Sequence, residues 1–280
     1  MTLYVEEVAG LVTVQDHGRV GLAHLGVPHA GALDPPAAAL ANRVVGNDEG
    51  GAVLEVTMGG LAVRTSTPLW LAVTGARCAV AVDGRPAAHG EAVWVPRDGV
   101  LRIGSAESGV RAYLAVSGGI AVEPVLGSRS TDTLAWVGPP RVVAGGELPV
   151  GRPQESPAAL DAPRLPRPGP LRVDPGPRAD WFAADTLRRL CGTTYTVTPE
   201  SNRIGLRLDG PPLERVRDDE LPSEGMVLGA VQVPPDGRPV VFLADHPTTG
   251  GYPVLAVVRP DDLWRCAQVR PGERIGFRTA

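Results

Sequence analysis

Short apolar runs, broken by glycine and proline, recur along this chain. LWLAVTG at 69–75, CAVAVDGRP at 78–86, AVWVP at 92–96 and RAYLAVSGG at 111–119 are rich in β-branched or aromatic side chains. Such residues pack well on a pleated surface, and runs of this length between turn formers predict strands. Asp83-Gly84 and Asp236-Gly237 predict turns, because glycine accepts the positive φ of tight hairpin connections. Three helices are expected among the strands. The first follows Asp34 as N-cap, with Pro35 at the first helical position and an alanine-rich run to Asn42. The second follows Asp180 and reads WFAADTLRRLC, with Trp181, Leu187 and Leu190 for an apolar face and Gly192 as its stop. The third covers 260–266. The fold class is therefore mainly β with a few short helices.

Residues 149–178 contain nine prolines, too many for a packed helix or a central strand. This Pro-rich linker divides an N-terminal β module, 1–148, from a C-terminal one, 179–280. A faint echo joins the halves: VQDHGR at 14–19 against VQVPPDGR at 231–238.

Composition narrows the function. With 280 residues, 43% of them hydrophobic, the chain has enough apolar side chain to fill real cores. A formal net charge of -4 and a pI near 5.8 argue against nucleic acid or an anionic membrane as partner. The N-terminus lacks a basic segment followed by an apolar run, and no stretch reaches the ~18 apolar residues of a membrane span, so a cytoplasmic protein is expected. Cys78, Cys191 and Cys266 are widely spaced and read as buried free thiols, with no metal site. All 27 basic residues are arginine. Without lysine the chain cannot form a Walker A loop or a Schiff base, carry biotin on its own side chain, or run a Ser-Lys amidase mechanism. Its five histidines never fall at H-x-x-x-H spacing, no G-x-S-x-G surrounds a serine, and no G-x-G-x-x-G opens a helix. A self-contained hydrolase or dehydrogenase is not expected.

What the chain offers instead is five polar loops, at 14–34, 127–132, 201–210, 223–226 and 245–253. Arg19, Arg129 and Arg203 each sit in a Gly- or Ser-rich turn, where a guanidinium fork can meet a carboxylate or phosphate. Gln15, Ser128, Ser223, Thr248, Thr249 and Tyr252 are the further candidates for substrate or nucleotide contact. In ADHPTTGGYP, 244–253, a plain hairpin needs only Gly250-Gly251 to turn, leaving Asp245, Thr248, Thr249 and Tyr252 available for a ligand at a barrel mouth. Asp245 is expected to position the substrate or accept a proton from it, with Glu224 and His24 as further acid–base candidates.

These loops, with ALANRVVGN at 39–47, LEVTMGG at 54–60, SGGI at 117–120 and the long block 223–258, also resemble one family throughout. It is the biotin-dependent carboxyltransferase family, also labelled allophanate hydrolase subunit 2, which includes C-type subunits of 5-oxoprolinase and Kip antagonist proteins. The resemblance implies two cyclophilin-like β-barrel modules. It implies a sister B-type subunit (allophanate hydrolase subunit 1-like) and an A-type lactam-utilisation subunit. Together the A-, B- and C-type subunits open the lactam of 5-oxoproline to glutamate with ATP hydrolysis, with ATP bound by or with the partner subunits and this chain inactive alone. Two alternatives stay open: a carboxyltransferase subunit served by carboxybiotin on another protein, as in urea carboxylase, and a non-catalytic antagonist of a kinase-inhibitor partner. The absent lysine bars covalent biotin here and also the Ser-Ser-Lys chemistry of allophanate amidases. The chain departs from the family pattern at Ala30, at His246-Pro247, and over 136–146, where WVGPPRVVAGG replaces a glycine-rich stretch.

Overall fold

A computed structural model describes residues 1–153, 155–157, 169–217 and 219–280. They form two units. One comprises 1–19, 30–132 and the described residues from 136 to 157; the other takes 20–29, 133–135 and the described residues from 169 onward. Two short excursions of the N-terminal half thus belong to the C-terminal unit, which a single boundary in sequence cannot express. Part of the stretch read as a Pro-rich linker lies outside the described residues, and its far end, 171–175, is a strand.

The N-terminal unit is built from β1 (Thr2–Val8), β2 (Val12–Gln15), α1 (Pro35–Val44), β3 (Val53–Thr57), β4 (Gly59–Thr65) and β5 (Leu69–Val82). It continues with β6 (Arg85–Ala87), β7 (Ala92–Val95), β8 (Val100–Val116) and β9 (Glu147–Pro149). β8 is long enough to pair with β3 and β4 along one edge and with β5 along the other, giving the order β2-β3-β8-β4-β1-β9 with β5 to β7 attached through β8. Register explains why β3 is buried on both faces. Leu54, Leu114 and Val73 stand opposite one another across β3, β8 and β5, and so share the face that lines the main core. Their neighbours Glu55, Tyr113 and Thr74 share the other face. There α1 lays Ala38, Ala41 and Val44 over Val53, Ala72, Tyr113 and Ala115. Asp34 caps that helix, accepting from the Ala37 amide at 3.1 Å.

The C-terminal unit contains β10 (Leu171–Pro175), α2 (Thr186–Gly192), β11 (Thr194–Val197), β12 (Gly205–Asp209), β13 (Glu224–Gly225) and β14 (Ala230–Gln232). β15 (Val240–Phe242), β16 (Thr249–Gly250), β17 (Val254–Val258), α3 (Pro260–Cys266) and β18 (Arg274–Thr279) complete it. Seven of these strands close a barrel in the order β10-β17-β14-β15-β12-β11-β18. The mainly β fold of two barrel-like modules with a few short helices is borne out, the C-terminal sheet as a closed barrel and the N-terminal nine-stranded sheet as a curled half-barrel.

Two other expectations change. The helix expected directly after Asp180 is a single 3-10 turn, Ala179–Trp181, and α2 begins only at Thr186. Between them Phe182 is extended, at φ -123° and ψ 160°, and bridges to Arg215. Burial of Trp181 and Phe182 anchors the chain in a way the helical periodicity could not reveal. All three cysteines are free, but Cys191 is only half-buried. Burial, with Glu107 nearby, pushes the Cys78 thiol up to about 11.

Asp262, in the first turn of α3, ties that helix to β10 by accepting from the Arg172 amide at 2.7 Å and from its Nε and Nη2 at 3.0 Å. Burial opposes its charge, but these bonds and Arg265 prevail and hold the carboxyl at about 2, down from an ordinary 3.8. A depressed folded pKa stabilises the protein above the unfolded pKa, and that contribution is lost as pH falls through the folded value. Asp262→Asn is therefore expected to cost about 1.5–3 kcal/mol near neutrality, in the range of hydrogen bonds to a charged group. The gap from wild type should shrink between pH 4 and 2 in urea titrations; a pH-independent gap would refute the assignment.

Candidate active site

In the N-terminal unit the polar loops converge on a residue that was not among the expected candidates. Just past β2, the Asp16 carboxylate accepts from the Gly18 amide at 2.8 Å, from Ser128 Oγ and Ser130 Oγ at 2.6 Å each, and from the Arg129 amide at 2.6 Å. Burial works against its charge, yet these four donors outweigh it and hold the carboxyl below its usual range. Ser128 is thus committed to Asp16. Arg19, only 3% exposed, donates from Nε to the Val125 carbonyl at 3.0 Å and from Nη2 to the Ser130 carbonyl at 2.6 Å. Its fork braces two stretches of main chain, contrary to the expected anion contact. Gln15 is fully buried and donates to Thr13 Oγ1 and the Thr131 carbonyl. Half-buried Arg129 donates to the Val122 carbonyl at 2.6 Å.

Beside this cluster lies a polar layer on the outer face of the sheet. Glu55 Oε2 accepts from the Leu33 amide at 3.0 Å and from Tyr113 Oη at 2.8 Å, while Tyr113 Oη accepts from the Asp34 amide at 2.8 Å. Arg111 Nε stands 3.4 Å from Glu55 Oε1. Burial first, then the charges of Glu55 and Asp34, keep the Tyr113 phenol protonated far above its ordinary pKa. The layer fixes the loop end at 33–34 to the strands beneath it.

The C-terminal unit holds the second constellation. Arg203 and Asp245, 1% and 0% exposed, form a bidentate pair, Nε to Oδ2 at 2.8 Å and Nη2 to Oδ1 at 2.9 Å. Thr133 adds two donors to Oδ2, its amide at 2.9 Å and Oγ1 at 2.7 Å. The carboxylate expected to accept a proton from substrate is enclosed, and the Arg203 fork expected to meet an anion holds the chain's own carboxylate. The loops at 223–226 and 245–253 do come together: β13 pairs with β16, with Glu224 opposite Gly250 and Gly225 opposite Thr249. Neither Gly250 nor Gly251 takes the positive φ of a tight turn. Gly250 serves close approach instead, since a Cβ there would stand 2.9 Å from Gln232 Nε2 and 3.2 Å from Met226 Sδ. Glu224 is ion-paired with Arg178. That partner, acting against the cost of burial, holds its carboxyl below the usual range and so in the wrong form for a neutral-pH acid. His246 is 7% exposed and donates from Nδ1 to the Pro247 carbonyl at 2.7 Å. Burial, aided by His29, lowers its pKa and keeps the ring neutral.

Candidates that still face solvent are His24, whose Nδ1 meets the Gly21 carbonyl at 3.0 Å, and Ser223, Thr249 and Tyr252; Thr248 is half-buried. These hydroxyls and one imidazole can bind and orient a small polar molecule. Among the described residues no group of three His, Cys, Asp or Glu could hold a metal ion. An open groove of about 710 Å³ is lined by Val82, Arg85, Ala87, Trp94 and their neighbours, and by none of the candidates.

A family model described as the carboxyltransferase domain, subdomain A and B, matches residues 25–279. The chain belongs to this family. Within it, the chain is 39% identical to the C-type subunit of 5-oxoprolinase from Escherichia coli (strain K12), over 95% of this chain and 87% of that protein. The solved structure of TTHA0988 superposes with a TM-score of 0.89 at 39% identity, over 99% of this chain but only 55% of that one. The Kluyveromyces lactis urea carboxylase superposes with a TM-score of 0.91 at 29% identity, over 99% of this carboxyltransferase-family chain and 27% of the enzyme. The chain therefore spans about half the length of one solved relative and about a quarter of the other.

Sequence reasoning missed Asp16, Glu55, Tyr113, Arg111, Arg178 and Thr133. Glu55 and Arg111 did leave a signal, each a lone charge inside an apolar strand run (AVLEVT, GVRAYLAV), which is costly unless partnered. Thr133 left none, because its partner lies 112 residues away.

Proposed function

We propose that this chain is the C-type subunit of a heteromeric, ATP-dependent 5-oxoprolinase that opens 5-oxoproline to glutamate together with A-type and B-type subunits. The observation that carries the reading is the 39% identity to a C-type 5-oxoprolinase subunit over nearly the full length of both chains. A urea-processing enzyme, by contrast, matches with only about a quarter of its length. The charged candidates support a shared site by their arrangement. Asp16, Arg19, Arg203, Asp245 and Glu224 are all committed to partners within the chain. That leaves His24, Ser223, Thr249 and Tyr252, all of the C-terminal unit, as the contacts to substrate or nucleotide, with ATP and the general acid–base groups brought by or with the partners. No helix among the described residues is long and apolar enough to cross a membrane, in keeping with an assembly in the cytoplasm.

The test is glutamate formation from 5-oxoproline and ATP. The isolated chain is expected to give none and the three-subunit mixture clear turnover. Turnover by the chain alone would overturn the shared site; an inactive, fully assembled complex would overturn the assignment. The family description favours carboxyl transfer as a second reading. With no lysine to carry biotin, it requires carboxybiotin on another protein, and transfer from such a carrier to urea would establish it.

A further inference from the structure

Gln232 interrupts an otherwise apolar face of the C-terminal barrel. It stands in β14 opposite Val240 of β15 and Val254 of β17, which pack with Met226, Ala230 and Phe242 in one cluster. The residue is only 5% exposed. A carboxamide in such surroundings is costly unless both its N–H₂ and its carbonyl oxygen find partners.

Only the nitrogen end finds them. Nε2 donates to the Tyr252 carbonyl at 3.1 Å and meets Met226 Sδ, a weak acceptor, at 3.8 Å. Gly250 closes against the same nitrogen, where a Cβ would stand 2.9 Å away. These contacts fix the orientation of the amide, because a backbone carbonyl must face the N–H₂ and not Oε1. The oxygen is left as an oriented acceptor, and among the described residues it accepts no hydrogen bond. Gln15, at the matching place in the VQ echo of β2, shows the contrast. It is 0% exposed and its partnerless Oε1 is sealed from solvent, whereas Gln232 keeps some exposure. The loop that Gln232 holds also carries the exposed Thr249 and Tyr252, and its pairing with β13 places exposed Ser223 at the adjoining strand end. A fixed carbonyl oxygen in apolar surroundings selects a ligand that presents an N–H, since a ligand without one leaves the oxygen desolvated and unmet.

We propose that Gln232 is a specificity-determining residue whose Oε1 accepts the N–H of a small amide bound beside Thr249 and Tyr252. The inference deepens the 5-oxoprolinase reading and rests on it for the ligand, the N–H being that of the lactam ring.

The test compares two ligands by titration calorimetry on the complete A-, B- and C-type assembly without ATP. One is 5-oxoproline; the other is the γ-lactone of 2-hydroxyglutarate, in which oxygen replaces the ring N–H. Wild type is expected to bind the lactam at least about tenfold more tightly than the lactone. Gln232→Met keeps the length of the side chain but removes the acceptor, and should bring the two affinities within about twofold of each other. A merely structural role, through the Tyr252 carbonyl, would weaken both ligands alike and leave their ratio at the wild-type value, which would overturn the proposal. So would equal affinities in wild type, a result that depends on no variant. Urea and tetramethylurea, with and without N–H, form a second pair. Should wild type bind neither ring compound but prefer urea over tetramethylurea, with that preference erased in Gln232→Met, the acceptor role stands and the 5-oxoprolinase reading falls. Binding of none of these ligands would overturn the proposal, while glutamate formation by the same assembly once ATP is added would still uphold the subunit reading.

Discussion

Asp245→Asn is expected to cost about 3–5 kcal/mol of stability, the usual penalty for breaking a buried ion pair from one side. Asp245 and Arg203 are 0% and 1% exposed, and all four contacts described for the carboxylate come from Arg203 and Thr133. Asparagine keeps the shape but offers one acceptor oxygen, and it turns an amide N–H₂ toward the guanidinium. At roughly 2–4 °C per kcal/mol for a protein of this size, the melting temperature should fall by about 10 °C. Calorimetry on the isolated chain reads this directly. Replacing both partners by apolar residues, Arg203→Met with Asp245→Leu, should recover much of the loss, because a buried pair costs nearly as much desolvation as it returns. An unchanged melting temperature, together with lost turnover in the assembled complex, would restore Asp245 to a catalytic role.

Glu55→Gln should destabilise the N-terminal unit by about 3 kcal/mol, near the lower bound for removing one member of a buried charged network. The Glu55 carboxylate is 1% exposed and is shared by Tyr113, Leu33 and Arg111. A glutamine amide cannot accept from all of them, and it carries no charge to face Arg111. Tyr113→Phe removes one link and leaves the Asp34 amide without its hydroxyl acceptor, so a smaller loss of about 1–3 kcal/mol is expected. Both variants should speed hydrogen exchange at the Leu33 and Asp34 amides more than in β1. Denaturation midpoints matching wild type for both would mean that the polar layer contributes no net stability.

The sequence alone determined the elements whose signals are local. Asp34, Pro35 and the alanine run specified α1 and its cap, α3 spans the expected 260–266, and Asp83-Gly84 turns between β5 and β6 with both residues at positive φ. It also determined the family. Caps, turns and residue preference act over three or four positions, so they can be read without the fold. Tertiary structure alone decided what each charge does. Asp245 looked like a solvent-facing base until Arg203 and Thr133, 42 and 112 residues away, enclosed it. Asp16 looked like one polar residue among many until Ser128 and Ser130 closed over it. The same holds for the sheets: short apolar runs between turn formers marked strands, but only strand order and register made one sheet a closed barrel and the other a curled open sheet. A side chain's type shows that it needs a partner if buried, whereas the identity of that partner depends on which distant strands and loops the folded chain brings against it.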